Sequence, residues 1–289
     1  MRKYIPRLLL ALLAVILFYT YRFYTLPHPA PGQLLLHFLD VGQGDATLIQ
    51  TPENRLILVD GGPDGKVLMS KLSQFFLSGQ CRLEAVVLTH PDMDHEAGLL
   101  EALSRCEVKT VIANTAKCEA LNCVSFQNSA TRKAKVTAAF AGDVWQIGDL
   151  SFRVLSPPPY QDFNDSNTNN DSLVLLLTYG NYQALLTGDA GNGTFSRILS
   201  EQKSITNNQL SMVNALKVPH HGSANNFDQT VWEQLRPEVA VVSVGKNNYG
   251  QPSEKVLGEA AILGTKLLRT DQAGDITISA SRDGKWAIK

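Results

Sequence analysis

Apolar residues in this chain fall in short runs separated by polar turns and by longer amphipathic stretches. The runs Leu34 to Leu39, Ala46 to Gln50 and Arg55 to Val59 predict three strands at hairpin spacing. A helix pattern covers about Lys66 to Leu77, and Glu84 to Leu88 predicts a strand running into Thr89. Another helix pattern begins at Glu96, and Val108 to Ala113 predicts the next strand. Asn114 to Lys135 is polar and irregular and reads as an excursion across the surface. Strands resume near Val136 and over Phe152 to Leu155, Leu173 to Thr178 and Gln183 to Leu186. After Gly188-Asp189-Ala190 come a helix, a strand at Ala215 to Val218, and two closing helix–strand units. Strands alternating with helices, with hairpins among them, predict an α/β fold with mixed sheets.

The amino-terminal segment breaks this rhythm. Arg2, Lys3 and Arg7 precede an uncharged run from Leu8 to Tyr21, and Tyr19, Tyr21, Phe23 and Tyr24 gather around Arg22. A spanning helix needs about 20 apolar residues, and flanking arginines lengthen a shorter core by snorkelling. Aromatic residues at one end suit a membrane–water interface. Residues 1–24 therefore read as a single-pass signal anchor, with the basic amino terminus in the cytoplasm and the folded part outside. A cleaved secretory signal is the competing reading, although the chain lacks a good small-x-small cleavage site near Ala30. The proline-rich residues 25–33 form a linker, and 34–289 the domain.

With 44% hydrophobic content, the 289 residues can bury a large core. A formal net charge of −1 gives no global case for nucleic-acid binding, so a phosphate-rich substrate needs a local site. Cys81 and Cys106 flank the central strand–helix unit, while Cys118 and Cys123 sit close together. Two disulfides suit an exported domain, and four reduced thiols a cytoplasmic one.

Thr89-His90-Pro91-Asp92-Met93-Asp94-His95 carries the chemistry. It crowds two imidazoles and two carboxylates onto one turn at a strand's end. Burying them together is costly unless a divalent cation satisfies them. A solvated polar turn is the bland alternative. Other polar clusters also end predicted strands: Asp60, Asn170-Asp171, Asp189 and His220-His221. Their recurrence predicts loops converging on one site.

Three further segments sharpen the picture: Phe38 to Asp45, Thr187-Gly188-Asp189-Ala190, and Leu216 to Ser223. Together with the turn they resemble the metallo-β-lactamase fold, and within it the carboxy-terminal domain of ComEC-type competence proteins. The resemblance covers about Leu34 to Gln251. It implies an αββα four-layer sandwich with two mixed sheets, holding two divalent metal ions (zinc or manganese) at the sheets' edge. One metal would be held by Asp94, His95, Asp189 and His220. The other would take His90, Asp92, Asp189 and an oxygen of Asp171, where many relatives have histidine. Asp60 would orient the turn by hydrogen bonding. Asp94 and His221 are the catalytic candidates, with Ser223, Asn248 and Gln251 as substrate contacts. Two departures stand out. Asp92 replaces the superfamily's usual histidine, which favours manganese relative to zinc. Gln251 stands where histidine is common, and glutamine is neither acid nor base near neutral pH.

The implied activity is metal-assisted hydrolysis of phosphodiesters in DNA or nucleotides. The sequence lacks the long run of spanning helices that a channel requires, so transport is not implied; the chain acts either beside a separate DNA-uptake channel protein or outside competence altogether. Two alternatives stand beside it. One is hydrolysis of a lactone, thioester or β-lactam, since the fold alone does not choose the substrate. The other is a binding or assembly module with a degenerate metal site.

Overall fold

The computed structural model describes residues 5–77, 80–114, 121–159, 168–204, 212–226 and 229–289. The chain begins with helix α1 (Ile5–Thr25), strands β1 (Gln33–Phe38), β2 (Thr47–Gln50) and β3 (Leu56–Val59), and helix α2 (Gly65–Leu72). Strand β4 (Arg82–Leu88), helix α3 (Met93–Arg105), strand β5 (Glu107–Ala113), helix α4 (Leu121–Lys133) and strand β6 (Lys135–Ala138) follow. Next come strands β7 (Val144–Ile147), β8 (Leu150–Ser156), β9 (Val174–Tyr179) and β10 (Tyr182–Leu186), then helix α5 (Asn192–Ser204) and strand β11 (Ala215–Lys217). The chain closes with helix α6 (Gln229–Leu235), strand β12 (Val239–Val242), helix α7 (Glu254–Ile262), strand β13 (Lys266–Arg269), the short helix α8 (Thr270–Ala273), and strands β14 (Ile276–Ser281) and β15 (Trp286–Ile288).

The strands form an eight-stranded sheet in the order β15-β14-β1-β2-β3-β4-β5-β6 and a seven-stranded sheet in the order β13-β12-β11-β10-β9-β8-β7. Each is mixed. In the first, pairing is parallel from β3 to β6 and antiparallel elsewhere; in the second it is parallel from β10 to β13. Leu36, Phe38, Ile57 and Val87 from one sheet meet Phe152, Leu175, Leu177 and Val241 from the other in a buried central layer. Alternate residues of the same strands face outward under helices: Leu58 and Val86 pack with Leu68, Leu99 and Phe126. On the opposite side, Leu185, Leu216 and Val242 pack with Phe195, Trp232 and Val256. The period of two along a strand thus builds all three apolar layers. The four-layer αββα arrangement follows.

Three expectations need correction. The supposed irregular excursion contains helix α4, on which Cys123, Phe126 and Ala130 recur at helical spacing and are buried. The two closing helix–strand units are followed by a hairpin, β14–β15, which returns to pair with β1 in the first sheet. Strand β7 also escaped the sequence pattern. The amino-terminal segment is helical, and the side chains Leu8 to Leu10 and Leu12 to Phe18 that could be large apolar anchors are exposed. Among the described residues, however, no helix is long and apolar enough to cross a membrane, so the spanning segment is not established. A disulfide joins Cys81 and Cys106, and Cys123 is also disulfide-bonded. Cys118 and much of the Asp162 to Asp171 stretch lie outside the described residues.

Candidate metal centre

Parallel neighbours end on the same side of a sheet, and that is where the polar groups gather. Asp60 follows β3, the His90–His95 turn follows β4, Asp189 follows β10, and His220-His221 follows β11. Asp45 arrives from the loop after β1. Its backbone N–H donates to Asp94 O at 3.1 Å, and its carbonyl accepts from Gly62 N at 2.7 Å. Gly44 permits this docking: its φ is +148°, and a Cβ there would lie 2.4 Å from Asp94 O. His220 and His221 both adopt left-handed backbone, with φ of 48° and 52°. Consecutive non-glycine residues there carry strain of about 1–2 kcal/mol each, a cost typical of functional loops.

Three imidazoles are oriented in the same manner. His95 Nδ1 donates to Asp60 Oδ2 at 2.8 Å, and His221 Nδ1 to Ser243 O at 2.8 Å. Thr89 Oγ1 spends its proton on Asp60 Oδ2 at 2.7 Å and so accepts from His90 Nδ1 at 3.1 Å. Each ring therefore turns its Nε2 lone pair into the site. His95 Nε2 lies 3.3 Å from Asp189 Oδ1, His90 Nε2 lies 3.4 Å from Asp92 Oδ2, and His221 Nε2 lies 3.1 Å from Asp94 Oδ2. The buried atoms His90 Nε2, His95 Nε2, Asp189 Oδ1 and Asp45 Oδ1 make no hydrogen bond with the described residues. A lone pair facing a carboxylate oxygen needs a cation between them.

The charge count agrees. Asp45, Asp60, Asp92, Asp94 and Asp189 face the cluster with five negative charges, against one from the buried Lys217 ammonium. This excess of negative charge, with the orphaned nitrogen and oxygen atoms, fits divalent cations in the site. In the metal-free chain, protons must serve instead. Burial would lower His95, but Asp189, Asp60 and Asp45 outweigh it and hold this imidazole well above its ordinary range. Likewise burial opposes, and Asp189 and Asp45 overcome it, to raise His221 to about 9. Burial would raise Asp189, yet His95, His221 and Lys217 keep it well below the usual carboxylate range.

Ligand-grade atoms fall in four overlapping groups: His90, His95 and Asp189; Asp94, His95 and His221; Asp45, Asp189 and His221; and Asp45, Asp60 and His95. His221, expected as a catalytic group, is the histidine beside Asp94 and His95. His220, expected as the ligand there, is partly exposed; its Nε2 lies 3.8 Å from Asp189 Oδ2 and its Nδ1 3.4 Å from the Asn169 amide. Both histidines thus reach Asp189. Asp92 is steadied by Thr168 Oγ1, which donates to its Oδ1 at 2.6 Å. Asp171 is buried but belongs to none of the four groups; its carbonyl accepts from Asn114 Nδ2. Gln251 lies at the rim, donating to His220 O at 3.1 Å and accepting from Gln43 Nε2 at 2.8 Å. Ser223 is half-buried and Asn248 exposed on neighbouring loops. Sequence reasoning gave no role to Asp45 or Lys217.

The pattern of the Metallo-beta-lactamase superfamily matches residues 39–246. ComE operon protein 3 of Bacillus subtilis (strain 168) is 33% identical over 258 residues, covering 82% of this chain and 32% of that protein. Competence protein ComA of Neisseria gonorrhoeae is 28% identical, over 85% of this chain and 32% of its own length. The chain thus spans about a third of the length of these curated relatives. Among solved structures, the metallo-beta-lactamase fold protein YhfI from Bacillus subtilis superposes with a TM-score of 0.58 at 13% identity, over 86% of this chain and 100% of that one. Zn(2+)-bound PqqB from Methylobacterium extorquens does so with a TM-score of 0.55 at 13% identity, over 84% and 99%. With the sandwich, the ligand turn and a pattern match across most of its length in agreement, this chain belongs to the metallo-beta-lactamase superfamily and is similar to competence proteins of the ComEC type.

Proposed function

We propose that this protein is a membrane-anchored, metal-dependent phosphodiesterase acting on DNA or nucleotides outside the cytoplasm. The observation that carries the hydrolase reading is the trio of imidazoles whose Nδ1 atoms are tied back while their Nε2 atoms converge on the buried Asp189 carboxylate. Two divalent cations, zinc or manganese, would supply a water of lowered pKa and offset negative charge on the substrate. His90, His95, Asp189 and His221 would hold them, with His220 and Asp92 within reach of the same oxygen atoms. Partly exposed Asp94 would orient the attacking water and hold its proton at Oδ2, which lies 3.1 Å from His221 Nε2. Ser223, Asn248 and Gln251 would contact a substrate phosphate, a reading supported for Gln251 by its hydrogen bond to His220 O. The competence proteins among the relatives support a nucleic-acid substrate and a separate DNA-uptake channel as partner. The exposed leucines of α1 and the basic residues before them support an anchor with a cytoplasmic amino terminus. The disulfides support an oxidising compartment for the domain.

The test uses the full chain in detergent with cysteines oxidised. Cleavage of single-stranded DNA and bis(p-nitrophenyl) phosphate is followed with manganese or zinc, beside the variant Asp94→Ala/His95→Ala. Metal-dependent cleavage that falls to background in the variant is expected. A folded chain that binds metal and cleaves neither substrate would overturn the phosphodiesterase and leave a lactone or thioester as substrate. A chain that takes up no metal would leave a binding module.

A further inference from the structure

We propose that Lys217 is a resident cation: its ammonium fills the Asp45-centred position behind the imidazoles and confines the metals to their Nε2 side. Of the four groups of ligand atoms, two are built on Asp45, and their atoms lie within 4.8 Å of one another like those of the groups without it. His221 Nδ1 is taken by Ser243 O, but the oxygens of Asp45 and Asp189 remain open to a divalent cation in this position. Lys217 closes it. Its side chain is 3% exposed, and its Nζ forms an ion pair with Asp45 Oδ2, donates to Gly188 O at 3.1 Å and lies 3.7 Å from Asp189 Oδ1. Asp45 in turn stands behind two metal-facing imidazoles, its Oδ1 3.4 Å from His221 Nδ1 and its Oδ2 3.7 Å from His95 Nδ1. The ammonium is fixed by the sheet: Ala215 and Lys217 point toward the central layer of β11, whereas Leu216 points to the helices. A buried ion pair adds little stability over an apolar pair of like volume. Its position among the ligands accounts for it better than stability does.

Lys217 is accordingly a positioning residue. Without it, Asp45 becomes an open carboxylate that competes for a cation and draws Asp189 and His221 from their partners. Removing both charges together restores the balance. This inference rests on reading the cluster as a metal centre, and the experiment separates the two. Purified full-length wild type, Lys217→Met and Asp45→Asn/Lys217→Met are stripped of metal, titrated with manganese or zinc, and analysed for metal per chain. Circular dichroism follows folding. The wild type is expected to bind two ions, the single variant to bind them about 10–100-fold more weakly, and the double variant to recover wild-type number and affinity. If Lys217→Met fails to fold, a folded double variant with two ions upholds the inference. A Lys217→Met chain with wild-type number and affinity overturns it, as does a double variant that is unfolded or as weak as the single one. A wild type that takes up no metal overturns the metal centre and this inference with it.

Discussion

Asp60 shows how far one side chain governs this site. Its two oxygens accept from Thr89 N at 2.8 Å, Thr89 Oγ1 at 2.7 Å and His95 Nδ1 at 2.8 Å. The first bonds fix the end of β4, and the last fixes the tautomer of an imidazole whose Nε2 faces Asp189. Asn is nearly the same size and tolerates the left-handed backbone, with φ of 57°, that Asp60 adopts. Its NH2 group must nonetheless confront one of those donors. Asp60→Asn is therefore expected to keep the fold and lose about 10–100-fold in metal affinity, measured by titration of the stripped protein. Metal affinity unchanged from wild type would mean that Asp60 only braces the turn. The place of Asp60 at the site was legible because it closes an apolar run just as the His90–His95 turn does. Lys217 was not, since its partners lie far away in sequence. A signal existed: it occupies the inward parity of the apolar strand Ala215-Leu216-Lys217, where an isolated charge is costly. The choice between His220 and His221 had no such signal, because two adjacent left-handed residues send their rings in directions that spacing does not encode.

At the scale of elements, the ligand turn is held by the seating of α3 on the segment after β3. Gly61 N donates to His95 O at 2.7 Å, and Gly98 N to Gly62 O at 2.9 Å. The approach is so close that a Cβ on Gly98 would lie 1.9 Å from Gly61 O. Alanine normally favours a helix over glycine by about 1 kcal/mol. Here the clash outweighs that gain, so Gly98→Ala is expected to destabilise the chain by about 2–3 kcal/mol. Its melting temperature should fall by roughly 4–10 °C, read by circular dichroism. An unchanged or raised temperature would show that α3 can slide without cost. Strands β1 to β5 and helix α3 were legible because their apolar periodicity is strong and their turns are marked by Gly, Asp and Asn. Helix α4 was not, because its buried stripe of Cys123, Phe126 and Ala130 is thin and most of its other positions are polar. The closing hairpin hid for another reason: β14 pairs with β1, a long-range partnership that local pattern does not report.

The stability of the whole molecule should carry the signature of protons and metals competing for one cavity. His37 sets the acid side. Its Nδ1 lies 2.8 Å from Thr277 Oγ1, its ring packs 4.6 Å from that of Phe75, and burial lowers it from 6.5 to about 4 despite the Gln50 hydrogen bond. Between those two values the unfolded chain binds a proton that the folded chain refuses. Stability is therefore full above about 6.5 and falls as pH drops toward 4, by on the order of 3 kcal/mol. His221 acts oppositely in the metal-free chain. Its folded value of about 9 exceeds the ordinary 6.5, so its contribution is full below 6.5 and is lost as pH rises toward 9. The size is again on the order of 3 kcal/mol, and His95 shifts in the same direction. Taken by themselves these histidines give the metal-free chain a stability maximum near pH 6–7, with an acid and an alkaline limb. Glu96, raised by burial and Asp92 to about 7, makes the acid limb shallower because its contribution is lost between about 4.5 and 7. Divalent metal takes the place of the protons on the imidazoles, so loading should abolish the alkaline limb while leaving the acid one. His37→Gln should flatten the acid limb alone. Denaturant unfolding from pH 4 to 9, with and without manganese or zinc, measures both. An alkaline limb that persists at saturating metal would mean that the ions bind without displacing protons from His95 and His221, which is incompatible with those imidazoles as ligands.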